Sequence, residues 1–206
     1  SCYYCSKFEC VFFVWEVALI FFLLSSIGWA GNWCESNDDA IKKTVQAIKV
    51  QTRKKSCEKA MSALYFQNSL DLSNFSLSDL RPLEKQKQLH VLLLRNNKIS
   101  DLSPLKGLTN LVWLDISRNP VVDIDPLSEL ANLQTLWMSE VKADSLKPLG
   151  SLKNLLHLSI KDSDADDVTE LGKIATLQYV GLAKNRIEDF RPLAGLKNLK
   201  SVDFYK

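Results

Sequence analysis

The chain has 206 residues, of which 46% are hydrophobic and 24% are charged, and its formal net charge at pH 7 is +2. The charge is still only +3 when residues 1–30 are left out, because that segment contains one lysine and two glutamates. A charge this small does not support nucleic-acid binding. The sequence contains no P-loop, HExxH or GxSxG motif, so we expect neither an enzyme nor a bound cofactor.

An apolar segment lies near the N-terminus. Residues 11–30 read VFFVWEVALIFFLLSSIGWA and contain one charged residue, Glu16. The small residues Gly28 and Ala30 stand at the positions that a signal peptidase recognises. We interpret residues 1–30 as a signal peptide, which predicts a secreted, periplasmic or cell-envelope protein. The alternative is a single-pass membrane anchor, because about 20 apolar residues are long enough to cross a bilayer.

The cysteines support export. Three of the five precede residue 11, and the other two are Cys34 and Cys57. This pair flanks one helical segment and belongs neither to a repeat nor to a CxxC motif. In an exported chain such a pair indicates a disulfide. The alternative is two unpaired thiols.

Residues 31–66 have helical character. Asp38 and its neighbours place capping groups and negative charge at a helix start. Apolar residues then follow at helical spacing: Ile41, Val45 and Ile48, and later Cys57, Met61 and Leu64. We interpret the basic residues 53–55 as a solvated turn between two helices. A solenoid leaves its first apolar layer open unless something covers it. We therefore predict that this segment is an N-terminal cap whose two helices are joined by Cys34–Cys57.

A repeat of period 22 covers residues 67–206. Leucine or a close substitute recurs in an L-x-x-L-x-L pattern, whose first position is occupied by Leu89, Leu111, Leu133, Leu155, Leu177 and Leu199. A period of this length with this pattern is typical of a leucine-rich-repeat solenoid. Six full copies end at residue 198, and a terminal strand follows.

Each copy begins with a predicted strand. In the clearest copy Leu92 and Leu94 alternate with Val91 and Leu93, which is the period of a strand. Asn97 follows, and we expect the equivalent asparagines at positions 119 and 185 to form a ladder with it.

Each copy ends with a predicted turn. Pro104 and its equivalents suit the first turn of a short helix, with a capping Ser or Asp just before the proline. In the fifth copy Glu170 replaces the proline and Ser163 the asparagine, so we expect an irregular turn there.

Two segments carry a family resemblance: NNKISDLSPLKGLTNL at 96–111 and NRIEDFRPLAGLKNL at 185–199. They resemble the 22-residue repeats of bacterial internalins and of the related SDS22-like class. The resemblance implies an α/β solenoid, with a parallel sheet on the concave face and short, often 3₁₀, helices on the convex face. In internalin-like proteins the concave face, often aromatic, meets a protein partner.

Strand alternation predicts which side chains point outward from the sheet. The first outward column is Val91, Trp113, Thr135, His157, Tyr179 and Ser201. The second is Leu93, Asp115, Trp137, Ser159, Gly181 and Asp203, and the third is Arg95, Ser117, Ser139, Lys161, Ala183 and Tyr205.

An aromatic band crosses these columns. Adjacent strands lie about 4.8 Å apart, so Trp113, Trp137, His157 and Tyr179 would be nearly contiguous. Because Trp and Tyr are enriched at binding hot spots, we predict that this band binds a protein partner, and we add Leu93, Asp115 and Tyr205 to the candidate residues. The alternative is that the rings only stack on one another and stabilise the sheet.

A calcium site is a weaker candidate. Asp162, Asp164 and Asp166 imitate the start of a calcium loop, but Asp167 and Lys173 replace the glycine and glutamate that such a loop needs. We interpret this segment as a solvated acidic turn and expect no metal.

The sequence therefore favours an exported module that binds a protein partner through its concave face. One alternative is a self-associating envelope protein that pairs through its last strand. Another is a cytosolic SDS22-like regulator of an enzyme.

Overall fold

The computed structural model describes residues 31–205. The signal peptide or anchor predicted for residues 1–30 lies outside the described residues. Within residues 31–205 no helix is both long enough and apolar enough to cross a membrane.

From residue 31 onward, three helices precede the sheet: α1 (Gly31–Cys34), α2 (Asp39–Thr52) and α3 (Cys57–Leu64). Asp38 caps α2 by accepting a hydrogen bond from the backbone N–H of Ala40. Ser56 caps α3 in the same way. Arg53 ends α2 in the left-handed conformation, with φ of 54°, so the basic residues 53–55 form the predicted turn between helices.

A disulfide joins Cys34 to Cys57, whose Cα atoms are 5.6 Å apart. Cys57 is the first residue of α3, but Cys34 lies in α1. The bond therefore joins α1 to α3, which are separated along the chain by α2. The prediction that it joins the two longer helices is wrong. A helix of four residues is too short to produce the apolar periodicity on which the prediction depended.

The helices cover the first apolar layer of the sheet. Ile48, Met61 and Leu64 are fully buried and share one continuous core with Leu70 and Leu83 of the first repeat. Burying a side chain of this size stabilises the fold by about 2 kcal/mol.

In residues 31–205, seven parallel strands of three residues form one open sheet in chain order. They are β1 (Ser69–Asp71), β2 (Val91–Leu93), β3 (Trp113–Asp115), β4 (Thr135–Trp137), β5 (His157–Ser159), β6 (Tyr179–Gly181) and β7 (Ser201–Asp203). Each pairs with the next at an offset of one repeat length, as in the pairing of Val91 with Trp113. The middle residue of each strand points into the core, where Leu92, Leu114 and Leu136 are fully buried.

Short 3₁₀ turns return the chain to the next strand. They span Arg81–Leu83, Ser103–Leu105, Asp125–Glu129, Lys147–Ser151, Thr169–Lys173 and Arg191–Gly195. The turn at Thr169–Lys173 lacks a proline but has the same length as the turns before and after it. The irregularity predicted for the fifth copy is therefore not observed.

Aspartates, or a serine in the fourth copy, stand three residues before the prolines or their equivalents and organise these turns. Asp101 accepts a hydrogen bond from the backbone N–H of Ser103 at 2.8 Å. Equivalent bonds are made by Asp79, Asp123, Ser145, Asp167 and Asp189. The prediction that the residue just before the proline caps the turn is wrong, because Ser103 is itself the first residue of its turn. An aspartate bonds most easily to the backbone N–H two residues ahead, which favours the earlier position.

Asparagines form the predicted ladder beside the sheet. The Asn97 amide donates to the carbonyls of Leu72 and Leu94, each at 2.8 Å. In the fifth copy the Ser163 hydroxyl donates to the Met138 carbonyl instead. In every copy the residue before the ladder position is left-handed, as in Asn96 with φ of 56°. Ser76 and Asp164 are also left-handed, in the first and fifth copies.

A second ladder, which was not predicted from the sequence, follows the 3₁₀ turns. Its members occupy one repeat position and donate a side-chain hydrogen bond to a backbone carbonyl about one repeat length earlier: Gln88, Asn110, Asn132, Asn154, Thr176 and Asn198. Gln88 bonds to Leu64 of α3, and the others bond to the previous copy. Polar side chains at this position therefore connect the cap to the first copy and each copy to the next.

Candidate partner-binding face

The outward side chains of β3 to β6 make up the candidate site. Trp113, Thr135, His157 and Tyr179 stand side by side on these four strands, in the predicted register. Trp137 lies two residues further along β4, next to Ser159 on β5. The rigid pairing of the strands thus determines which aromatic rings are neighbours.

The rings form two pairs. Trp113 and Trp137 meet edge to face, with centroids 5.1 Å apart and planes inclined at 75°. His157 and Tyr179 are stacked, with centroids 5.0 Å apart and an angle of 23°. Trp113, Trp137 and Tyr179 nevertheless remain 36%, 39% and 43% exposed. The mutual contacts therefore leave a large part of the aromatic surface open to solvent.

A hollow of about 500 Å³ lies among these rings. Two small residues, Ser159 and Gly181, form its floor beside the larger walls of Trp137 and Tyr179. A Cβ atom on Gly181 would come within 2.7 Å of Lys161 Cε and 3.1 Å of Ser159 Oγ. The hollow consequently depends on glycine at this position.

Charged groups border the hollow on the side of β7. The Lys161 ammonium is paired with the Asp203 carboxylate. The hydrogen bond from Lys161 lowers the pKa of Asp203, and the backbone N–H of Tyr205 adds to this shift. Lys200 Nζ lies 5.8 Å from the centre of the Tyr179 ring, within cation–π range. A mainly apolar floor is therefore flanked by two ammonium groups.

The other predicted residues differ in accessibility. Leu93 is half-buried, and Tyr205, just beyond β7, is 81% exposed. Asp115 is only 4% exposed, and its carboxylate accepts a hydrogen bond from the Ser117 backbone N–H at 2.9 Å. The expectation that Asp115 presents its charge outward is therefore wrong.

A row of serines runs beside the aromatic pairs. Ser117 Oγ accepts a hydrogen bond from the Ser139 N–H at 3.2 Å, and the Ser139 and Ser159 hydroxyls are 2.8 Å apart. These serines belong to the outward columns, but no role was predicted for them from the sequence. The signal was available, since Ser117 and Ser139 occupy the same position in two neighbouring copies of the repeat.

The polar side chains that could suggest catalysis or metal binding contact other polar side chains. His157 Nδ1 lies 3.4 Å from Thr135 Oγ1. The Asp164 carboxylate of the acidic turn contacts Lys142 Nζ at 2.7 Å and Arg186 Nη2 at 3.0 Å, and the hydrogen bond from Lys142, with the nearby charge of Arg186, lowers its pKa. In the part of the chain that the structure describes, no three His, Cys, Asp or Glu side chains are grouped to hold a metal ion.

Comparisons with known proteins support the fold. No protein-family profile and no curated protein sequence matches the chain. Among solved structures, an internalin (inlF) of Listeria monocytogenes superposes with a TM-score of 0.63 and 26% identity over 78% of this chain and 54% of that one. Internalin C2 of the same organism superposes with a TM-score of 0.56 and 26% identity over 79% of this chain and 92% of that one. A leucine-rich-repeat protein of Leptospira interrogans superposes with a TM-score of 0.63 and 25% identity over 70% of this chain and 39% of that one.

This chain spans about half the length of the inlF structure. The parallel sheet, the 3₁₀ turns and the solved neighbours together confirm the predicted solenoid. The chain has the leucine-rich-repeat fold, whose members typically serve as protein-interaction modules.

Proposed function

We propose that this chain is an exported module that binds a protein partner with the face formed by Trp113, Trp137, His157 and Tyr179. The observation that carries the proposal is the exposure of three large rings, on β3, β4 and β6, around an open hollow. Large aromatic surfaces in water are unfavourable unless a partner covers them. Trp and Tyr are also the residues most enriched where binding energy is concentrated.

The alternative, in which the rings only stack on one another to stabilise the sheet, explains less of the geometry than partner binding does. Each ring touches one neighbour, so the sheet gains cross-strand contacts within each pair. The small residues Ser159 and Gly181 leave the hollow open, and stacking within the two ring pairs does not require this opening.

Export is the second part of the proposal. A disulfide between Cys34 and Cys57 suits an oxidising compartment, and the apolar residues 11–30 suit a signal peptide. We infer a secreted or cell-envelope protein, or one held in the membrane if the apolar segment is retained. Similarity to internalin structures is consistent with this location.

A photo-cross-linking amino acid at Thr135, on the candidate face, tests the binding site. The control carries the same group at Ser128, in a 3₁₀ turn on the opposite side. We expect a specific cross-linked species in the source cells from position 135 and not from position 128. The linked protein, once identified by mass spectrometry, should bind the purified chain.

Variants then measure the contribution of the rings. Trp137→Ser should weaken binding at least about tenfold, the effect of a modest hot spot. Val122→Ser removes an exposed apolar side chain outside the strands and should leave affinity unchanged. Equal affinity for both variants would refute a role for the aromatic face.

Intact mass of the chain produced by a secreting host tests export. We expect a product that begins at Gly31 and is alkylated at Cys34 and Cys57 only after reduction. An uncleaved chain held in the membrane would favour the anchored form. Unprocessed soluble protein with two free thiols would refute export.

Self-association is a second candidate because β7, the last strand of the sheet in the described residues, has apolar groups beside it. The ring centroids of Phe190 and Phe204 lie 5.9 Å apart, and both side chains are exposed. A strand at the edge of a sheet can pair with another copy. Size-exclusion chromatography across a concentration range distinguishes the two candidates, since a monomer at all concentrations would eliminate the second.

A further inference from the structure

We propose that the N-terminal cap carries a second interaction surface, formed by Tyr65, Phe66, Lys54, Lys55 and Lys59, and that this surface docks on an anionic lipid bilayer. We call it the cap patch. It is separate from the aromatic face of the sheet, and neither proposal depends on the other.

The exposure of two adjacent aromatic rings is the first observation. Phe66 is 69% exposed and Tyr65 is 45% exposed. Their rings meet edge to face, with centroids 5.5 Å apart, so together they form one apolar projection just after α3. Aromatic rings of this kind favour the boundary between headgroups and acyl chains.

The solenoid itself does not require an aromatic residue at Phe66. Phe66 precedes Gln88 by one repeat length, and Gln88 and the equivalent residues of all later copies donate the second-ladder hydrogen bonds. Phe66, the last residue of the cap, is therefore apolar, whereas the corresponding position is polar in all six copies of the repeat. Packing does not explain it, because most of the ring lies in solvent.

Positive charge surrounds the rings. Residues 49–66 contain five basic residues and one acidic residue. None of these six charged side chains forms an ion pair with another described residue. Lys54 and Lys59 line a hollow of about 270 Å³ together with Ser62, Ala63 and Phe66. The lysines and the ring thus belong to one continuous surface.

This combination fits a bilayer better than a protein groove. Exposed rings can enter the interfacial region while flexible lysines reach lipid phosphates and carboxylates, and each basic residue adds to the attraction. The prediction of a solvated turn at residues 53–55 depends only on the charge of these residues. The structure adds the neighbouring rings, which a solvated turn does not need.

Hydrogen exchange of the full-length chain tests the proposal. The rate is measured at the backbone amides of residues 53–56 and 65–68. The chain is mixed with vesicles of phosphatidylcholine, either pure or with about 30% phosphatidylserine as the anionic lipid. We expect exchange at these amides to slow only with the anionic vesicles. The readout is local, so insertion of residues 1–30 into both kinds of vesicle would not imitate it.

Matched variants separate the two components of the patch. Phe66→Ser should reduce vesicle binding through the patch about tenfold, and the triple variant K54S/K55S/K59S should reduce it on the order of a hundredfold. Tyr205→Ser removes an exposed ring at the other end of the solenoid, and K85S/K87S/K106S removes three lysines from the repeats. Both controls should retain the slowed exchange.

Three results would overturn the proposal. The first is unchanged exchange at the patch with anionic vesicles, and the second is equal slowing with pure phosphatidylcholine. The third is equal slowing by soluble polyglutamate, which would indicate an acidic protein partner. Far-ultraviolet circular dichroism of each variant verifies that the fold is retained.

Discussion

The side-chain amide of Asn119 donates a hydrogen bond to the backbone carbonyl of Leu94, 2.9 Å away in the preceding repeat. The same nitrogen donates to the Ile116 carbonyl at 2.9 Å, and Oδ1 accepts from the Ile99 N–H at 3.1 Å. Asn119 is buried, so water cannot easily replace these bonds. One side chain therefore satisfies three backbone groups at the point where the short strands end.

Replacing Asn119 with alanine should destabilise the fold by about 3 kcal/mol, because several buried backbone groups lose their partner. Asn110→Ala is the matched control. Asn110 is exposed and makes one bond, to the Lys87 carbonyl, so its loss should cost about 1 kcal/mol or less. Urea unfolding measures both, and equal costs would contradict the role assigned to the buried ladder.

The disulfide should stabilise the cap more than the repeats. Cys34 and Cys57 are 23 residues apart, and closing a loop of this length is worth about 3 kcal/mol. The double variant C34S/C57S should therefore unfold at lower urea, with α1 and α2 exchanging amide protons before the strands do. Reductant added to the unmodified chain should reproduce this behaviour. A uniform loss of protection along the chain would contradict it.

Gln86 is an exception to the apolar pattern of the repeat. It is fully buried, and its Nε2 has no hydrogen-bond partner among the described residues. The equivalent position is apolar in the later copies: Leu108, Leu130, Leu152, Ile174 and Leu196. Gln86 Oε1 accepts a hydrogen bond from Gln88 Nε2 at 2.8 Å. Gln86→Leu should still raise stability by about 1 kcal/mol, because it removes a buried amide nitrogen without a partner, while Gln88 keeps its bond to the Leu64 carbonyl.

The control for this change is Gln88→Leu. The Gln88 amide donates to the Leu64 carbonyl at 2.9 Å, so its removal should not stabilise the chain. Thermal unfolding of the two variants distinguishes them. If Gln86→Leu lowers the melting temperature, the amide has a partner such as a bound water.

The sequence repeat predicted the sheet, but it did not predict the solvent exposure of every side chain on the sheet. A constant repeat length determines the strand register, so the positions of Trp113 and Trp137 could be predicted without a structure. The burial of Asp115 could not, because it depends on the size and rotamer of neighbours such as Trp137 on the next strand. The exposure of Phe66 also needed the structure. The polar residues that recur every 22 positions from Gln88 are visible in the sequence, but their hydrogen bonds are not.

Acid should weaken the turns between strands. Hydrogen bonds from the Arg191 side chain and backbone lower the pKa of Asp189 to about 2. The folded-state pKa therefore lies below the unfolded value near 4. The stabilisation is complete above that value and is lost as the pH falls towards 2.

Asp189→Asn tests this contribution, because asparagine keeps a side-chain oxygen but cannot titrate. Stability of the unmodified chain should fall more steeply between about pH 4 and pH 2 than that of the variant. Urea midpoints across this range provide the measurement. Parallel slopes would show that the Asp189–Arg191 pair does not persist in solution.

Two glycines with crowded surroundings should respond differently to alanine. A Cβ on Gly172 would lie 2.5 Å from the backbone oxygen of Pro192, whereas a Cβ on Gly181 would meet the flexible end of Lys161 at 2.7 Å. Backbone cannot move aside as a lysine side chain can, so Gly172→Ala should cost about 2 kcal/mol and Gly181→Ala about 0.5 kcal/mol or less. Gly181→Ala should still weaken partner binding, because the methyl group enters the floor of the hollow. Urea unfolding and affinity are measured on the same preparations, and unchanged affinity would exclude the hollow from the binding site.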